Sequence, residues 1–311
     1  MNQSLHVVMY HYIRDLPNTP FPHIKGMLID DFRRQLAALQ NRYEMATLES
    51  ALDFLQGIYT PPRDLCLLTF DDGLKDHYSE VTPILEGLGI QGIFFVITSC
   101  LQEHRVAPVH MNHFLMAALD FELYSRTFLQ SLNEFVPAIQ AYNEIDGTSA
   151  QQTYPWDAPE VASFKYLFNF IVDWPIRDQV VKTLFEQYIG DEKSFSQTLY
   201  LSWEEARQMQ TAGMLMGGHS HQHKPLTTLS DKELHWDLST CQGLLAEHLQ
   251  PQDLWPFSYP YGKQDSFNDT AVRQLKWLGF SCSFGTEVGV NLLGMDLFAL
   301  RRIDCKDALR Q

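Results

Sequence analysis

Two short segments carry side chains whose types and spacing suit hydrolytic chemistry. In TFDDG (Thr69 to Gly73) two adjacent carboxylates, Asp71 and Asp72, follow directly on an apolar run. Carboxylates at the end of a buried strand are costly unless a cation or a shared proton compensates them. A divalent ion would do so by binding one carboxylate and leaving the other as a base. The plainer reading is that one of the pair caps the next helix. In HSHQH (His219 to His223) two imidazoles are separated by three residues, so both reach one ion from a turn or a first helical turn. With a carboxylate they would make a site of two histidines and one carboxylate, with positions open to water and substrate. In isolation such histidines are more often solvated loop residues; beside TFDDG in one fold, the metal reading is favoured. His221 is expected to point elsewhere, and Ser220 lacks the G-x-S-x-G elbow of a serine nucleophile.

Both segments need elements that bring them to one rim. Leu5 to Tyr10, Leu65 to Phe70, Gly92 to Ile97, Met214 to Gly218, Trp255 to Tyr259, Phe280 to Phe284 and Leu297 to Ile303 have strand length and apolar character, and Tyr43 to Ala46 is a further short candidate. Helical patterns lie between them: IDDFRRQLAAL, with Phe32, Leu36 and Leu39 on one face and Asp30 as N-cap, then Thr47 to Leu55, Ser79 to Leu88 ending at Gly89, and AVRQLKWLG. Ser202/Glu205 and Ser230/Glu233 each match a capping box. Strand and helix in alternation predict a parallel sheet closed as an α/β barrel of about seven or eight strands. Active-site groups in such barrels stand at the carboxyl ends of the strands. His11, Asp71, Asp72, His219, His223, Tyr261, Arg301, Arg302 and Asp304 all fall at or near those ends. The alternation breaks between about Leu101 and Thr198, where large apolar residues recur at helical spacing. The predicted organisation is a barrel from 1–100 and 199–311 with a helical insertion at 101–198, either a packed insertion or a lid that selects substrate.

Composition narrows the function. Of 311 residues, 45% are apolar and 20% charged, which excludes a disordered chain. The net charge of −15 opposes phosphate-backbone binding, so nucleic acid is not an expected partner. No apolar run reaches the roughly 18 residues of a membrane span, and the amino-terminal stretch, broken by His6 and His11, does not read as a signal peptide. Five scattered cysteines without a CxxC suit a reducing compartment, so the expected location is the cytoplasm.

TFDDG, HSHQH and the PYG of SYPYG together resemble the polysaccharide deacetylase family (NodB-like, carbohydrate esterase family 4), over about residues 5–100 and 200–304. The resemblance implies a distorted (β/α)7-type barrel and a metal-dependent hydrolase that removes acetyl groups from N-acetylated sugars or glycan precursors. It implies Asp71 as general base, Asp72, His219 and His223 as metal ligands, and the backbone N–H of Tyr261 as an oxyanion donor. The implied cofactor is one divalent ion, zinc first, with cobalt, nickel or manganese as alternatives. Two positions depart from the family pattern. The arginine usually found three residues before the motif tyrosine is Ser258, and the late Leu-x-His that supplies an acid is absent from LFALRRIDC. The opening VVMYHYI resembles the subgroup typified by poly-N-acetylglucosamine deacetylases, in which the acid histidine comes early; that implies His11 as general acid. Arg302 is the candidate to orient Asp71 in place of the missing arginine, with an ordinary ion pair as the alternative. The expected partner is a sugar or activated sugar, which Tyr154, Trp156, Trp174 or Trp203 could stack upon unless they are core. Hydrolysis of another C–N bond, as in cyclic amides or imides, and an inactive carbohydrate-binding protein are the competing readings.

Overall fold

The computed structural model describes residues 3–263 and 265–309. Among them, eight strands make one sheet: β1 (Leu5–Tyr10), β2 (Glu44–Met45), β3 (Leu65–Phe70), β4 (Gly92–Val96), β5 (Leu215–Gly218), β6 (Pro256–Ser258), β7 (Cys282–Phe284) and β8 (Ile303–Asp304). Their order is β7-β6-β5-β4-β3-β1-β8, with β2 paired to β3 off that path, and every pairing is parallel. Parallel neighbours need a returning crossover, which explains the helices between successive strands.

The side-chain period of two sorts the strands into two faces. Leu5 and Val7, Leu65 and Leu67, Ile93 and Phe95, and Cys282 and Phe284 share one buried cluster with helix Leu48–Gln56. On the alternate positions Tyr10, Phe70 and Phe94 stack in a row, with ring centroids 5.1 and 4.6 Å apart, and Tyr10 meets Phe32 of helix Ile29–Arg42. With both faces covered, all six residues of β3 are buried, which is why that strand is a continuous apolar run.

The last strand is shorter than the apolar run suggests. Leu297 to Arg302 is irregular, because Asp296 accepts from the backbone N–H groups of Phe298 and Ala299 and turns the chain there. The segment still bonds β7: Ser283 N donates to Leu297 O (2.8 Å), Leu300 N to Ser283 O (3.1 Å) and Gly285 N to Leu300 O (2.9 Å). It then enters β8, which pairs with β1 through Val8–Ile303 and Met9–Asp304. The two ends of the sheet are thereby joined by non-regular backbone, and the barrel is distorted at that seam.

Two helix starts also differ from expectation. Asp30 is not an N-cap: the helix begins at Ile29 after Leu28, and Asp30 lies in the first turn, where a carboxylate favours the helix dipole. The expected helix at Ser79 begins as a π-turn, His77–Val81, and continues as Thr82–Leu88 to Gly89 at φ 64°. Pro83 has no N–H to close the regular ladder at that point. Both predicted capping boxes are present, at Ser202/Glu205 and Ser230/Glu233.

His77 in that turn is fully buried against Phe70 and Phe94, and its Nε2 donates to His11 O at 2.9 Å. Burial pushes its pKa from 6.5 down to about 4, so it is neutral in the fold. The unfolded chain takes up this proton first as pH falls, so the stability is present above pH 6.5 and is lost on descending toward pH 4. The loss is about 3 kcal/mol for this group. Denaturant melts of H77Q should therefore show a shallower loss of unfolding free energy than wild type between those pH values; parallel curves would refute the assignment.

The chain divides into two compact units, one of Met1–Asp15, Gly26–Arg105 and Ser196–Gln311, the other of Leu16–Lys25 and Val106–Phe195. The first holds the barrel. The second is helical, with Phe128 and Phe164 of its core 5.4 Å apart and Phe114 and Phe185 each edge-on to Phe195. Among the described residues no helix is long and apolar enough to cross a membrane.

Candidate active site

Asp71 continues the β3 register that turns Leu65 and Leu67 into the barrel, so its side chain enters the rim at the carboxyl end of the strand. It is 2% exposed and is gripped by Arg302 in a two-pronged pair, Nη1 to Oδ1 and Nη2 to Oδ2, both at 2.8 Å. Arg302 is itself anchored, with Nε donating to Gly285 O at 2.7 Å and Nη2 to Ser258 Oγ at 3.0 Å. Ser258 Oγ donates in turn to Asp71 Oδ2 at 3.2 Å. Burial alone would raise the Asp71 pKa, but the Arg302 guanidinium, then His219 and His11, outweigh it and hold the carboxyl below its ordinary range. Asp71 therefore carries charge rather than capping a helix.

Asp72, His219 and His223 come together beside it. Their potential ligand atoms all lie within 4.8 Å of one another, and all three residues are buried. Asp72 Oδ1 is 3.6 Å from His219 Nε2 and 3.7 Å from His223 Nε2, and the two Nε2 atoms are 3.2 Å apart. His219 Nδ1 donates to Ser258 O at 2.7 Å, which leaves the lone pair on Nε2, toward Asp72 and His223. Burial, against the pull of Asp71 and Asp72, lowers the His219 pKa and favours the neutral, ligating form. At 2% and 8% exposure, His219 and His223 are not solvated loop residues. His221 does point away, its Nδ1 3.0 Å from Thr98 Oγ1 and its Nε2 3.1 Å from Glu103 Oε1.

The backbone around these groups is unusual. Of the five non-glycine residues with positive φ among those described, four are here: Asp72 (79°), Ser220 (61°), His223 (55°) and Tyr261 (64°). Such conformations cost on the order of 1–3 kcal/mol each and persist only where surrounding contacts impose them. Tyr261 is held by Thr286, whose Oγ1 donates to Tyr261 O and whose N–H donates to Gly262 O at 2.8 Å. A Cβ on Gly262 would lie 2.6 Å from Thr286 Cγ2, so glycine is required after the tyrosine. The Tyr261 and His223 rings are 5.3 Å apart.

His11, one residue past β1, has a side chain 43% exposed, with Nε2 3.9 Å from Asp71 Oδ2. It is thus no core histidine, and it reaches the same rim from the side open to solvent. Arg301 faces away from Asp71, pairing with Glu287 at 2.8 Å. Trp203 stacks on His248 and Trp174 lies under the Arg177 guanidinium, while Trp156 is 78% exposed. Sequence reasoning missed the parts that act through backbone: Gly285 O and Ser258 O as acceptors, and Asp237, which accepts from His221 and Gln222 N–H. A carbonyl acceptor has no residue-type signature, so only the fold could reveal Gly285 O and Ser258 O.

A family model for polysaccharide deacetylases matches residues 59–149 and 170–283, about two thirds of the chain. The chain belongs to the polysaccharide deacetylase family. Within that family it is similar to YxkH of Bacillus subtilis (strain 168), 25% identical over 139 residues. That match spans 44% of this chain and 47% of YxkH, so the chain covers about half the length of this curated relative. Among solved structures, the Streptococcus pyogenes deacetylase PplD is similar with a TM-score of 0.60 at 16% identity, over 100% of this chain and 98% of its own. IcaB from Ammonifex degensii gives 0.57 at 20% identity, over 97% and 91%. The de-N-acetylase from Aggregatibacter actinomycetemcomitans gives 0.58 at 15%, over 98% and 96%. At these identities the likeness shows the fold, the distorted (β/α)7-type barrel of the polysaccharide deacetylases. Arg302, next to β8, lies against Asp71, with Ser258 beside both.

Proposed function

We propose that the chain is a metal-dependent hydrolase that removes acetyl groups from an N-acetylated sugar or glycan precursor. The observation that carries this reading is the juxtaposition of a charged, arginine-held Asp71 with the converging donors of Asp72, His219 and His223. Two imidazole nitrogens and a carboxylate oxygen, 3.2 to 3.7 Å from one another in a buried site, are a good ligand set for one ion of the zinc type. When bound, such an ion supplies Lewis acidity at a carbonyl and at water.

The remaining chemistry falls to the chain's own groups. Asp71, fixed by Arg302 and Ser258, accepts a proton from the attacking water. The Tyr261 N–H donates to the acetyl oxygen as negative charge develops there, an effect worth about 3 kcal/mol. Protonated His11 delivers its proton to the nitrogen of the departing amine, which leaves poorly as an anion. This reading assigns the chain to the subgroup in which the acid histidine comes early. The five cysteines form no disulfide, which favours a reducing compartment, and a cytoplasmic enzyme would meet small or carrier-linked sugars.

PplD was solved in complex with acetate, the small product that this reaction would release. The test is acetate release from a panel of N-acetylhexosamines, their oligomers and their nucleotide-linked forms. Equal yields of acetate and free amine are expected, lost on chelation and restored by zinc or cobalt. Activity that survives complete chelation, or cleavage confined to cyclic amides, would refute the reading.

A further inference from the structure

The backbone that turns His219 and His223 toward Asp72 is held from behind by a group with no part in the chemistry above. Asp237, in helix Asp231–His248, is 1% exposed, and its two carboxylate oxygens accept from consecutive backbone N–H groups. Oδ1 takes His221 N–H and Oδ2 takes Gln222 N–H, both at 2.9 Å. These two residues lie between the histidines, and their neighbours Ser220 and His223 are the pair with φ of 61° and 55°. Ser220 Oγ accepts His223 N–H at 2.9 Å. On the other flank, Thr98 N and Ser99 N donate to Ser220 O and His221 O at 3.2 and 3.1 Å. The loop is thus clasped at its N–H groups by Asp237 and at its carbonyls by the segment after β4.

We propose that Asp237 is a positioning residue for the metal site: its buried carboxylate imposes the strained loop conformation in which both imidazoles face Asp72. The proposal rests on the metal-site reading of Asp72, His219 and His223. The two N–H groups need an acceptor pair of this shape, because unsatisfied buried donors would otherwise drive the loop toward other conformations. Asn at this position offers one acceptor and turns an NH2 toward the second N–H, so a single clasp remains. Outer partners of metal ligands typically influence affinity about 10- to 100-fold, and a loss of that size is expected here.

The test titrates cobalt into metal-free protein and reads its visible absorption together with thermal melts of the metal-free and loaded forms. Four proteins are compared: wild type, D237N, D237S and L238A, the last removing a fully buried side chain from the same helix without touching the carboxylate. D237N and D237S should bind cobalt about 10- to 100-fold more weakly, with an altered absorption envelope. L238A should melt earlier but bind as wild type does. Wild-type affinity and spectrum in the folded Asp237 variants would overturn the positioning role while leaving the metal site standing. No cobalt binding by wild type would overturn both. If neither Asp237 variant folds where L238A folds, Asp237 supports the whole barrel rather than the loop, and the proposal is equally overturned.

Discussion

Asp71→Asn should slow acetate release by about 100- to 10,000-fold while the protein still binds its ion, the range over which a positioned general base contributes. The amide has nearly the shape of the carboxylate, so the water and the acetyl carbonyl keep their places, but it cannot take the proton. Arg302 complicates the comparison. Buried with 0% side-chain exposure against Asp71, it loses half of its two-pronged acceptor in the variant. D71N should therefore also melt earlier, and rates must be compared at temperatures where both proteins are folded. Metal content at the wild-type level together with near-complete loss of turnover is the expected pattern. Wild-type turnover in D71N would remove Asp71 from the mechanism.

Arg302→Met should have the largest effect on stability, roughly 3–5 kcal/mol, because it strands the Asp71 charge in a site that solvent does not screen. Arg302→Lys keeps a cation but loses the planar fork that meets both oxygens, and with it the bond from Nε to Gly285 O. It should fall between wild type and R302M in unfolding free energy. In both variants Asp71 retains Ser258 as a partner but is free to rotate, so kcat should drop about tenfold or more with little change in KM. Chemical denaturation and steady-state kinetics check the two halves separately. Unchanged stability and rate in R302M would mean that the pair neither holds the base nor contributes to the fold.

Much of the site was legible because chemistry in this fold sits where regular elements end. TFDDG and HSHQH each follow a short apolar run, and in a parallel barrel such positions share a rim. The period of two places Asp71 inward without any motif. Other features had no sequence signal. Asp72, Ser220, His223 and Tyr261 adopt a backbone region that glycine prefers, imposed by distant contacts such as those of Thr286 and Asp237. The seam from Leu297 to Arg302 has the apolar content of a strand, but Asp296 diverts its backbone hydrogen bonds. Arg302 could be named from the sequence as a candidate; its double contact with Asp71 depends on that irregular seam and on Gly285 O. Asp30 was misplaced for a simpler reason: first-turn carboxylates and N-caps share residue types, and Leu28 takes the cap position here.

Elemental analysis of the purified protein and of its H219A and H223A variants tests the central claim most directly. The account predicts one divalent ion per wild-type chain, and none retained by either variant after the same dialysis. Wild type without bound metal, or variants that hold the ion as firmly as wild type, would contradict it.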